Sequence, residues 1–103
     1  MTTARVTLHD RWLTVDSTVE ITDGDATTTV RCGDVRRAAA MVAWTGVPGR
    51  LPWSAVMVVC IAAGWKPSGD PWSWLPPDDG QATADVLEVP VEPERAVDPG
   101  VLL

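Results

Sequence analysis

Residues Leu51–Trp65, read Leu-Pro-Trp-Ser-Ala-Val-Met-Val-Val-Cys-Ile-Ala-Ala-Gly-Trp, form the longest stretch of the chain without a charge. No polar stripe crosses it at helical or at strand spacing. A segment of this kind must be covered on all sides, by its own fold or by a partner. Pro52 suits the first turn of a helix and Gly64 its end. Val56, Val58, Val59 and Ile61 are β-branched and equally suit a buried strand. Length and punctuation favour the helix, and a helix over 52–64 is the expectation. The stretch is too short to span a bilayer, and Pro48, Arg50 and Pro52 interrupt any longer one. A membrane-inserted hairpin, with Val35–Thr45 as its second arm, is the outside reading, and membrane association is disfavoured.

The chain before this stretch alternates with a period of two. Val6 and Leu8 alternate with Thr7 and His9. Asp10-Arg11 reads as a tight turn, and Trp12–Val15 reads as a further short strand. Val19 and Ile21 alternate with Thr18, Glu20 and Thr22, and Asp23-Gly24 marks a hairpin because both positions tolerate positive φ. Thr28, Val30 and Cys32 alternate on the return. The pattern predicts a hairpin over 18–32 with one covered face and one wet, Thr-rich face. Asp34 is placed to cap a helix over Val35–Thr45, which Gly46 ends. Val47–Arg50 is a Pro/Gly turn short enough to make the two helices neighbours. The expected fold is α+β: an antiparallel hairpin or meander, then two apolar helices, then an extended C-terminal arm.

Charge divides the chain unevenly. Acids and bases balance over residues 1–75, at seven each, so the net charge of −6 resides entirely in residues 76–103. Two regions follow: a small α+β domain over 1–75 and an acidic, Pro-rich arm over 76–103, extended or disordered. A neutral body with an acidic tail has no phosphate-attracting face, which argues against nucleic-acid binding. The arm cannot build a core alone, yet it keeps two apolar islands. Leu87, Val89 and Val91 alternate with Glu88, Pro90 and Glu92, and the sequence closes on Val101-Leu102-Leu103. Those islands predict a strand that adds to an exposed sheet edge, belonging to this chain, another copy or another protein, with Leu102 and Leu103 as a second anchor.

Catalytic constellations are scarce. His9 is the single histidine, and no Cys-x-x-Cys or His-x-x-x-His spacing accompanies it. Pairing His9 with Cys32 as a nucleophile is the only such option. Both Cys32 and Cys60 read better as small reduced core residues. Gly46–Gly49 lacks the Lys-Ser/Thr that a phosphate loop requires. The residues imply no cofactor, no metal and no enzyme.

Tryptophan carries the functional signal, with six present and no Phe or Tyr. Trp44, Trp53 and Trp65 flank the two helices and are expected to close the ends of the core. Trp72 and Trp74 sit in the Pro-rich loop that follows, near the surface, either stapling the loop or anchoring a partner. The expectation is therefore a non-enzymatic protein–protein interaction or assembly protein. It would contact a protein partner or itself through Trp72, Trp74, Leu87, Val89, Val91, Leu102 and Leu103. One alternative is a carbohydrate-binding module in which Trp72, Trp74 and Trp12 stack on the ligand. Codon-biased composition, with Asn absent and Lys used once, suits a bacteriophage or actinobacterium-like source. Within the interaction reading it points to a virion component or a host-interacting phage protein. The start of the sequence is polar rather than signal-like, so the expected location is cytoplasmic, or in a virion assembled there.

Overall fold

The computed structural model describes residues 2–70, 73, 75–76 and 80–94. The fold is α+β, built on one antiparallel sheet. In chain order the strands are β1 (Thr2–Thr7), β2 (Thr18–Asp23), β3 (Ala26–Arg31), β4 (Trp65–Pro67) and β5 (Val86–Pro93). Their spatial order is β3-β2-β1-β5-β4. The period of two sorts the side chains by face. Ala4, Val6, Val19, Ile21, Val89 and Val91 are buried, while Thr3, Arg5, Thr7, Glu20, Thr22, Glu88 and Glu92 are exposed on the other side. That is the covered face and the wet face the alternation predicts.

The hairpin over 18–32 forms with an unbroken register from Thr18↔Arg31 to Asp23↔Ala26. Its two-residue loop is Gly24-Asp25, one position later than the Asp-Gly signal places it. Gly24 has φ +61°, and Asp25 has an ordinary φ, the pattern of a type II′ turn. Asp10 and Arg11 do make a tight turn, closed by reciprocal backbone bonds between His9 and Trp12 of 3.0 and 2.9 Å. Both turn residues have positive φ, +51° and +66°, an uncommon conformation for residues with a Cβ. The later chain straps that turn in place. Asp85 Oδ1 accepts from the Arg11 amide, the Gln81 side chain donates to the Asp10 carbonyl, and the Ala82 amide donates to the Arg11 carbonyl.

Trp12–Val15 is not a strand of the sheet. Its backbone bonds run instead to the Gly49–Leu51 connection, Val15 to Gly49 and Leu51 to Leu13, around an isolated Thr14↔Arg50 bridge. Leu13, fully buried, anchors this loop.

The expected helix over 35–45 is broken in two, α1 (Arg36–Ala40) and α2 (Val42–Thr45). Met41 separates them with ψ −9°, and the bonds around it tighten, from the Met41 amide to the Ala38 carbonyl and from the Trp44 amide to the Met41 carbonyl. Gly46 ends α2 in the left-handed region at φ +68°, as the sequence predicts. Asp34 is not the cap. Val35 holds the N-cap position with extended backbone and no side-chain cap bond. The Asp34 carboxylate pairs with Arg31 at 3.1 Å, and the same guanidinium holds Asp16 at 2.6 Å.

The apolar stretch is helical, α3 (Ala55–Ala62), followed by Gly64 at φ +91°. Ala55, Val56, Val59 and Cys60 are buried against the sheet. The covering is one-sided, however: Val58 is half-buried and Ile61 is 46% exposed.

The strand Leu87–Val91 does form, within β5, and the edge it joins belongs to its own chain. It pairs with β1 from Thr2↔Val91 to Thr7↔Val86 and with β4 from Trp65↔Pro93 to Pro67↔Val91. Proline is rare in an interior strand because it cannot donate. Pro90 is accommodated because its carbonyl faces the β4 side, where it accepts from Ser68 at 2.8 Å just past the end of β4. Its missing amide faces the same way, so the return bond to the Ser68 carbonyl is absent where β4 ends, while the ladder with β1 is untouched.

Candidate functional site

The turn that follows α2 builds one side of a cleft. Pro48-Gly49 occupies the two central positions of a turn closed by the Arg50 amide donating to the Val47 carbonyl, with Gly49 at φ +76°. Those are the residue types and the φ sign of a type II turn. The Thr45 hydroxyl locks it from inside. It accepts from the Val47 amide at 3.1 Å and lies 2.9 Å from the carbonyls of both Val42 and Arg50. One hydroxyl thus ties the end of α2 to both ends of the turn.

This scaffold holds a cleft of about 520 Å³ lined by Trp12, Trp44, Thr45, Arg50, Leu51, Pro52 and Ser54. Its lining Trp12 is backed by a second tryptophan that does not reach the cleft. Trp53 is buried to 1% exposure, with its indole N–H donating to the Gly80 carbonyl at 2.9 Å. Trp12 stacks on Trp53 with ring centroids 6.3 Å apart, and the Arg50 guanidinium lies 4.0 Å from the centre of the Trp12 ring. Trp12 is therefore engaged by two neighbours. The Arg50 charge rests on an aromatic face and, among the described residues, has no carboxylate partner.

Trp44 is the exception. It does not close the core, as its place beside a helix predicts, but stands 73% exposed at the cleft rim. Trp65, in β4, is half-buried. The sequence misses this difference because α2 is a single turn and its apolar face is undefined. The usable signal was the pairing of Gly46 with Pro48-Gly49, which turns the chain sharply just after Trp44.

The other anticipated contact residues are dispersed. Val89 and Val91 are buried in the sheet core, and Leu87 is half-buried at its side. Trp72, Trp74, Leu102 and Leu103 lie outside the described residues. His9 is exposed beside its turn. Cys32 is a fully buried thiol whose burial pushes it up to about 12, so it is held protonated, the reverse of an activated nucleophile. Among the described residues no group of three or more His, Cys, Asp or Glu is placed to hold a metal ion. Nor is any described helix long and apolar enough to cross a membrane.

Compared with known proteins, the chain matches no family model, no curated sequence and no solved structure.

Proposed function

We propose that the chain is a non-enzymatic protein–protein contact component of structural or assembly type, and that it meets its partner at the Trp44 rim of the cleft. The observation that carries this reading is the 73% exposure of Trp44, in α2 just before a turn fixed by Thr45. A large rigid ring with only two side-chain torsions loses little conformational entropy on burial, which suits tryptophan to contact hot spots. Arg50, seated on Trp12 beside it, supplies a charge for the polar margin of such a contact. A bacteriophage virion component or host-interacting phage protein, acting in or assembled in the cytoplasm, falls within this reading.

A photo-crosslinking amino acid in place of Trp44 or of exposed Thr22 on the far face, with extracts of the source cells, tests it. Adducts should form from position 44 and not from position 22. Trp44→Ala should lower retention of the same partner by at least about tenfold without moving the unfolding midpoint. Equal crosslinking from both positions would overturn the proposal. The carbohydrate-binding alternative makes a different forecast: tryptophan emission would shift on titration with a glycan panel, and Trp44→Ala would abolish the shift.

A further inference from the structure

The two edges of the sheet differ in character. β4 offers three residues, Trp65–Pro67, one of them a charged lysine and one a proline. Short length, lysine and proline are the devices that keep an edge from pairing. β3 has none of them. It runs six residues, Ala-Thr-Thr-Thr-Val-Arg, without proline and without a bulge in its register.

The geometry of β3 shows which groups are free. A two-residue loop makes Asp23↔Ala26 a hydrogen-bonded pair, and alternation then turns the backbone N–H and C=O of Thr27 and Thr29 away from β2. The continuation agrees, because the Cys32 amide donates to the Ser17 carbonyl on the β2 side at 2.8 Å. Cys32 has the same parity as Ala26, Thr28 and Val30. Among the described residues, no backbone group of Thr27 or Thr29 bonds to anything beyond the β2–β3 ladder.

We propose that two copies of the chain join antiparallel through β3 about a two-fold axis at Thr28. In this register Thr27 of each copy bonds reciprocally with Thr29 of the other. Ala26 and Val30 meet on the helix-covered face, where Val30 is already half-buried. On the wet face Asp25 of each copy lies opposite Arg31 of the other, whose side chain is 44% exposed. The uncharged centre and the matching outward N–H and C=O groups of Thr27 and Thr29 make the edge complementary to itself in the antiparallel sense, with Arg31 adding a guanidinium that it shares with Asp16 and Asp34. A parallel pairing would set Asp25 beside Asp25 and is disfavoured. The contact is isologous and closes, since the guarded β4 edge offers no second strand for growth.

A strand-to-strand contact is small, so association is expected to be weak, and light scattering should follow it up to about 1 mM. The molar mass should rise toward that of a dimer with concentration. Thr29→Pro removes an amide that faces outward, leaving the β2–β3 ladder whole, and should weaken association by at least about tenfold. Thr28→Cys supplies a second readout. Residues facing across the axis in a non-hydrogen-bonded pair approach to about 4.5 Å between Cα atoms, within disulfide range. Under mild oxidation Thr28→Cys should crosslink to a dimer, whereas Val30→Cys, opposite Ala26, should not. A constant monomer with Thr28→Cys no more crosslinked than Val30→Cys would overturn the proposal, as would dimerisation indifferent to Thr29→Pro. The β3 edge is separate from the Trp44 cleft, so Trp44→Ala should leave the dimer unchanged and either reading can fail alone.

Discussion

At the scale of single residues, the two cysteines give the clearest consequence. Cys32 and Cys60 are free and fully buried. Burial pushes Cys32 up to about 12 and Cys60 up to about 11, from an ordinary 9.0, and the nearby Cys60 adds to the rise at Cys32. In the unfolded chain both thiols ionise near 9.0. Their contribution to stability is therefore intact below that pH and is lost as pH rises toward 11 and 12. The loss approaches about 1.4 kcal/mol per pH unit for each thiol. Urea midpoints should drop between about pH 8 and about pH 10, and a double Cys→Ala variant, weaker throughout, should lose most of that drop. A flat midpoint in the parent chain would contradict the buried pair. These residues were legible in the sequence, since a thiol inside an alternating strand or an apolar run has few other uses. The exposure of Trp44 was not, because tryptophan burial depends on which way a one-turn helix faces.

At the scale of elements, Gly33 shows how close two segments can run. Its amide donates to the Val15 carbonyl at 2.8 Å. A Cβ there would sit 2.8 Å from that carbonyl oxygen and 3.1 Å from the Val15 Cβ. The backbone oxygen cannot swing aside as a flexible side chain would. Gly33→Ala should destabilise by about 1–3 kcal/mol, a shift of several degrees in a thermal melt for a chain of this size. A midpoint matching the parent would mean that the 14–17 turn is softer than its buried Ser17 implies. Elements defined by strong local signals were readable: the 18–32 hairpin, the Asp10-Arg11 turn, and a helix between Pro52 and Gly64. Those set by competition were not. Asp34 has the chemistry of a cap, but Arg31 offers its carboxylate a charged partner, which the sequence alone does not weigh. Trp12–Val15 has strand composition, yet pairs with a connection rather than with the sheet.

At the scale of the whole molecule, the acidic arm is the main lesson. Sequence composition places a boundary near residue 76, and the sheet takes strands from both sides of it. Leu87–Val91 carries the alternation of a strand. Nothing in its period says which edge it joins, so self, second copy and foreign partner were equivalent until the register with β1 was known. Its acids then sit among bases. Arg5 is paired across the sheet with Glu20 and Glu88, and Lys66 lies 3.4 Å from Glu92. Removal of residues 78–103 should accordingly cost the fold rather than only a contact. It would strip β5 from between β1 and β4, leaving β4 without any strand to pair with. The truncated chain is expected to lose a cooperative melt by circular dichroism, whereas a sharp transition near that of the full chain would show that β5 is dispensable.

The interior position of β5 also sets a timetable. During synthesis β1, β2 and β3 emerge first and can pair as a meander, while β1 waits with one side open. The strand that completes it, β5, is made only after β4. Until then the nascent chain carries an unfilled gap at the centre of its sheet, the kind of exposed edge on which misassembly begins. Because the closing contacts join β1 to β5, far apart in sequence, their loop-closure cost falls late and is large, which slows folding.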